Sequence, residues 1–216
     1  DLGKILELFV AHGALPEILY EAHPHIGTNK LPAIVTAIRN TIEQCGGEVH
    51  FNSKLTDLEV DSDRIKSITI NQHTRVPVTH VILATGHSAR DIFNLLHQRK
   101  IFIEAKPLAM GVRVEHPQSL VDQAQYKCSV RPGYLPPASY SLVTQAKDRG
   151  VFSFCMCPGG IIAPAATSPG EVVVNGWSPS KRNGRFANSG MVVSISEKEW
   201  LKFAAHGPLA AMHYQM

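Results

Sequence analysis

Apolar residues recur at helical spacing from Lys4 to His12, with Ile5, Leu8, Phe9 and His12 along one side, until Gly13 and Pro16 close the segment. The pattern predicts a short amphipathic helix. Behind the loop His23-Pro24-His25-Ile26-Gly27, Thr28 stands at a cap position and Leu31, Ile34, Val35, Ile38 and Ile42 form the apolar face of a second helix, which Gly46-Gly47 ends. Pro32 falls in the first turn, where a missing N–H is tolerated.

At Glu48 the period changes to two. Val49 and Phe51 predict one short strand, Leu58 and Val60 a second, and Ile68 and Ile70 a third beyond the turn Asp61-Ser62-Asp63, which together read as a β-meander. Val81-Ile82-Leu83-Ala84 is apolar on both faces, as an inner strand covered by helices would be, and ends at Thr85-Gly86. Ser88, with Asp91 three residues on as a capping-box partner, opens a further helix that turns Ile92, Leu95 and Leu96 inward. From about Lys100 the chain becomes strands between Pro/Gly loops: Met110 to Glu115, Val151 to Met156, Ile161 to Ala163, Val172 to Val174 and Val192 to Ile195. Residues 117–148, with Pro132, Pro136 and Pro137 and little periodicity, read as a long excursion around a site or partner.

Composition narrows the class without naming a chemistry. A chain of 216 residues with 44% hydrophobic content builds one large core or two modest ones. The net charge of +3 is spread along the chain with no basic stripe, which disfavours nucleic acid as a partner. No apolar run reaches membrane-span length and no signal-peptide pattern opens the chain, so no membrane partner and a cytoplasmic location are expected. Cys45, Cys128, Cys155 and Cys157 do not form a secreted disulfide framework and are expected to be reduced. The opening Asp1-Leu2-Gly3 and the closing His213-Tyr214-Gln215-Met216 both read as cuts in a longer chain.

The succession of helix, Gly-Gly, strand, meander, buried strand and Ala84-Thr85-Gly86 resembles the second half of the FAD-binding domain of glutathione-reductase-like flavoproteins. Five fuller stretches narrow the likeness: His23 to Thr28, Ala84 to Asp91, Met110 to Pro117, Phe154 to Gly160 and Asn175-Gly176-Trp177-Ser178. From about residue 13 onward the chain resembles the bacterial FAD-dependent, NAD-utilising dehydrogenases. The resemblance implies an α/β fold that becomes α+β in its second part. Residues 1–99 would be a partial Rossmann-like FAD-binding domain with a β-meander, and residues 100–216 a strand-rich inserted substrate domain. Hydride would pass between flavin and an unknown substrate or NAD(P)H. The family's Gly-x-Gly-x-x-Gly unit upstream and its closing flavin segment downstream do not occur in this sequence, and neither Gly46-Gly47 nor Gly159-Gly160 has that spacing. The backbone N–H groups that meet the FAD pyrophosphate in that family are therefore not expected from any other part of this chain. The isolated chain is expected to be colourless and inactive, and its partners to be a small-molecule substrate and the remainder of its own FAD-binding domain.

By the same resemblance, Leu55 is where the main chain meets the adenine edge; a half-buried strand residue is the plain alternative. Ala84, Thr85 and Gly86 would contact the flavin, since ligands lie at the carboxyl ends of inner strands and Gly86 admits close approach; an ordinary strand-to-helix turn is the alternative. Arg90 could meet a phosphate or pair with an acid such as Asp91. Gly159 and Gly160 would lie near the flavin ring. Cys155, Cys157 and Arg113 are the catalytic candidates on the substrate side. In an extended strand the two thiols would sit on one face roughly 6.5 to 7 Å apart, too far for an unstrained disulfide, and two small buried hydrophobes is an equal reading. A metal set of these thiols with His23 and His25 lacks zinc half-site spacing, so no metal is expected. Arg113 either enters a cleft to hold a carboxylate or pairs with Glu115. The eleven histidines are scattered and read as structural. An interaction or RNA-binding module on the same scaffold is the alternative function, because fold does not fix function.

Overall fold

The computed structural model describes residues 1–216. They divide into two compact units that the chain enters twice each: one built from Asp1–Val49 and Met110–Val193, the other from His50–Ala109 and Ser194–Met216.

In the first unit, helices α1 (Leu2–Ala11) and α2 (Leu31–Gln44) follow the predicted periods. Ala14, Ile18 and Ile34 are buried between them with Leu6, Phe9, Val10, Ile26 and Ile38 packed around. Thr28 does not cap α2, whose cap residue is Lys30; its hydroxyl and its N–H both go to the Ser178 carbonyl instead. The strands here are β4 (Leu108–Pro117), β5 (Val143–Ala146), β6 (Arg149–Cys157), β7 (Ile161–Pro164), β8 (Val174–Trp177) and β9 (Phe186–Ile195). They form a four-stranded sheet in the order β4-β9-β6-β5 and a separate β7-β8 pair. The excursion after Pro117 contains a helix, α4 (Gln118–Tyr126), because Val121 supplies an apolar anchor against Ala138 and Ala187.

The second unit holds the meander β1 (Leu55–Asp61), β2 (Arg64–Ile70) and β3 (Thr74–Pro77). Ser62 and Asp63, both left-handed at φ +50° and +60°, make the tight turn that the Asp-Ser-Asp sequence predicts. Helix α3 (Arg90–Gln98) lays Ile92 and Leu95 on Leu58 to close a small core. Its N-terminus lacks the expected capping box, since Asp91 reaches Lys54 Nζ at 2.8 Å. Arg99 at its end pairs with Asp57, Nε to Oδ1 being 2.6 Å. A true capping box forms further on, where Ser196 and Glu199 open α5 (Glu197–Trp200) ahead of α6 (Ala210–Gln215).

The strands themselves depart from the predicted pattern in two places. Val49 and Phe51 lie outside any strand, and the meander instead gains β3. Val81 to Ala84 is not an inner strand: no strand pairs with it, and Ile82 is 92% exposed. Apolar character on both faces reports what a segment is suited to pack against, and pairing with β2 ends where Val78 N–H bonds the Lys66 carbonyl. Every strand pair of described register is antiparallel, so these residues make an α+β fold of helices and antiparallel sheets rather than a parallel sheet with crossover helices. No helix is long and apolar enough to cross a membrane.

Candidate functional site

Strands β6 and β9 pair in register from Val151 opposite Val193 to Phe154 opposite Gly190, then slip before Cys157 meets Asn188. The slip is a bulge. Its extra residue is Cys155, held at φ +48°, a conformation that non-glycine residues adopt only against a steric cost. A bulge turns a side chain out of the strict alternation of the strand. The sulfurs of Cys155 and Cys157 therefore stand 3.9 Å apart, which corrects the wider separation expected of an extended strand.

Arg113 comes to the same place from β4. Its Nη1 donates to Asn188 Oδ1 at 2.6 Å and to the Cys155 carbonyl at 3.1 Å, so it faces the bulge rather than Glu115. Asn188 is 0% exposed, and its Nδ2 has no partner. On β8, a Cβ at Gly176 would lie 2.3 Å from Arg113 Nη1, 2.5 Å from Asn188 Oδ1 and 2.6 Å from Cys157 Sγ. Three polar side-chain atoms thus converge on the space that the glycine leaves. Burial, and after it the Cys155 neighbour, push the Cys157 thiol up to about 11, with Arg113 pulling weakly the other way. Cys155 itself is exposed.

The wall behind this cluster is closed by backbone. A Cβ at Gly159 would be 1.9 Å from the Arg182 carbonyl oxygen, and one at Gly160 would be 2.2 Å from that of Trp177. Gly159 N–H donates to Gln118 Oε1 at 2.8 Å, and the Ser178 hydroxyl donates to the Pro158 carbonyl at 2.5 Å. Ser180 N–H donates to Asn29 Oδ1 at 2.8 Å. His25 Nε2, in the tautomer that carries its proton there, donates to the Pro179 carbonyl at 3.1 Å. Four of the five stretches singled out in the sequence meet in this one cluster.

Burial lowers the His25 pKa from its ordinary 6.5, more than its bond to Pro179 raises it, and the Arg182 charge lowers it further. The folded state therefore favours neutral imidazole. As pH falls below 6.5 the unfolded chain takes up a proton that the folded chain resists, and stability declines until the folded-state value is passed. Urea midpoints measured across that window are expected to fall on acidification in the parent more steeply than in His25→Asn. Parallel profiles would contradict this assignment.

The remaining candidates lie in the second unit. Leu55 pairs with Ile70 at the start of β1, half-buried as a strand residue would be. Ala84, Thr85 and Gly86 are exposed. Gly86 has φ +74°, and a Cβ there would have no heavy atom within 4 Å. Of the three glycines expected to contact FAD, Gly86 leaves open space beside its backbone, whereas the space at Gly159 and Gly160 is filled by the protein's own carbonyls. Asn188, Gln118 and Ser178 were not visible as site residues in the sequence. Phe-Ala-Asn-Ser-Gly at 186–190 has the composition of a turn, and only its pairing with β6 makes it a strand.

Comparison with known proteins bears on these residues directly. Residues 107–216 match the family model described as "FAD-dependent protein, C-terminal domain-like". Arg113, the cysteine pair, Gly159, Gly160, Gly176 and Asn188 all fall inside the match. The chain is also 39% identical over 213 residues to an uncharacterized protein of Clostridium beijerinckii, an alignment that takes in 98% of this chain and 39% of the relative. It therefore spans well under half the length of that relative.

Proposed function

This chain belongs to the family of FAD-dependent proteins whose C-terminal domain-like region it carries at residues 107–216, and from that membership we propose that the whole protein is an oxidoreductase passing hydride between FAD and a small substrate or NAD(P)H. The observation that carries the reading is the family match. It favours a flavoprotein over an interaction or RNA-binding module. When bound, the flavin supplies a two-electron acceptor and donor, and the protein supplies orientation and electrostatics.

On this reading Ala84, Thr85 and Gly86 lie against the cofactor, with the Leu55 main chain toward its adenine end. Thr85 offers a hydroxyl, and Gly86 offers backbone that no side chain covers. The exposed apolar side chains of Ile82 and Leu83 beside them would then pack against the remainder of the FAD-binding domain in a longer protein, in keeping with the relative's greater length. Arg113, whose Nη1 donates to Asn188 Oδ1, would hold a substrate carboxylate or set the charge around the thiols.

The test is made on the longer protein. Its purified form is expected to carry a yellow flavin spectrum that NADH or NADPH bleaches anaerobically. Gly86→Val is expected to weaken flavin retention by about tenfold or more through loss of close approach. A protein that takes up no flavin on reconstitution would refute the reading.

A further inference from the structure

We propose that Cys155 and Cys157 form a thiol–disulfide redox site, oxidised to an intramolecular disulfide by a low-molecular-weight disulfide. The inference does not rest on the flavin reading.

Geometry carries it. A Cys-x-Cys pair in a regular strand is held apart by the pleat, yet the bulge at Cys155 brings the sulfurs to 3.9 Å. Closing the bond takes a further approach of roughly 1.9 Å, within reach of side-chain rotation. The bulge also divides the pair into two roles, since Cys155 is exposed and Cys157 is buried. Cys157 lies on Gly176 in the space shared with the Arg113 guanidinium, a cation that offsets part of the cost of forming a thiolate there.

The chemistry balances in two exchanges. Cys155, as thiolate, attacks one sulfur of the external disulfide RSSR; the S–S bond breaks and RS⁻ leaves, taking up the equivalent of the proton that Cys155 gave to water. Cys157 then loses its proton to water and attacks Cys155 Sγ, expelling the second RS⁻, which is protonated in turn. Two protein thiols are oxidised to one disulfide, and one external disulfide is reduced to two thiols.

Trypsin releases both cysteines on the single peptide Gly150–Lys181, which contains no other cysteine. The protein is equilibrated with mixtures of reduced and oxidised glutathione, quenched in acid, alkylated and mapped by mass. The expected product is that peptide lighter by two hydrogens and without alkyl groups. Its equilibrium constant is expected to be about tenfold or more above that of the same protein in guanidinium, since the fold holds the sulfurs near each other. Cys157→Ser is expected to trap glutathione stably on Cys155, whereas in Cys155→Ser the remaining thiol reacts only after unfolding. Equal constants in the folded and unfolded protein, or a peptide that stays a dithiol or a glutathione adduct throughout, would overturn the proposal. So would adducts that gather on Cys157 first. If neither variant folds, the parent protein's own titration decides.

Discussion

Gly159→Ala is expected to lower the stability of the first unit by about 3 kcal/mol, from two causes that add. The left-handed conformation at φ +56° costs a residue with a Cβ about 1 to 2 kcal/mol. The new methyl would also stand 1.9 Å from the Arg182 carbonyl oxygen and 2.2 Å from its carbon, and overpacking against atoms that cannot rotate away costs about 1 to 3 kcal/mol. Relief requires the turn at 182–184 to move, yet Gly184 N–H is bonded to the Gly159 carbonyl at 3.1 Å and Gly159 N–H to Gln118. Gly86→Ala is the matched control. Its φ of +74° gives a similar conformational cost with no atom in the way, so it is expected to lose only about 1 kcal/mol. Urea denaturation of the two variants separates the terms. Equal losses would mean that the close approach at Gly159 carries no weight.

The contrast between those glycines also shows what can be read from the amino-acid order. Local periodicity predicts α1, α2, α3 and the meander strands β1 and β2, because each depends on apolar residues spaced to cover one nearby core. It cannot count the residues in a bulge. The alternation of Phe154, Cys155, Met156 and Cys157 is that of an ordinary strand, and the extra residue is visible only against Asn188 on β9. Capping fails for a related reason: Thr28 and Asp91 are good cap residues that find better partners far away in the chain, in Ser178 and Lys54. Val81 to Ala84 has an inner strand's composition, but a strand also needs a neighbour to bond. The glycines at 159, 160 and 176 stand where the chain is approached closely. What approaches them is this chain's own backbone and side chains.

Asp122→Ala is expected to cost about 3 kcal/mol, the lower end of the range for breaking a buried ion pair, because the Arg131 side chain left behind is still 27% exposed. The carboxylate, nearly enclosed on α4, accepts from Gln118 Nε2 and from Ala138 N–H, each at 2.8 Å, and from Arg131 Nε at 2.9 Å. Burial works to raise its pKa, but the bonds from Ala138, Gln118 and Arg131 together hold it below the ordinary 3.8. The stabilisation is therefore complete above pH 3.8 and is lost as pH falls through the lower folded-state value. Without the carboxylate, Arg131 loses its counter-charge and the Ala138 N–H its acceptor. Gln118 loses one of the contacts that aim its Oε1 at Gly159, so the damage extends to the turn behind the thiols. Asp122→Asn keeps one acceptor oxygen while presenting an NH₂ toward Arg131, and is expected to lose less than that. The gap in urea midpoint between the parent and Asp122→Ala should narrow as pH is lowered past 3.8, since protonation removes the same charge. A gap that stays constant with pH would assign the loss to packing alone and remove the carboxylate from the account of how α4 supports the site.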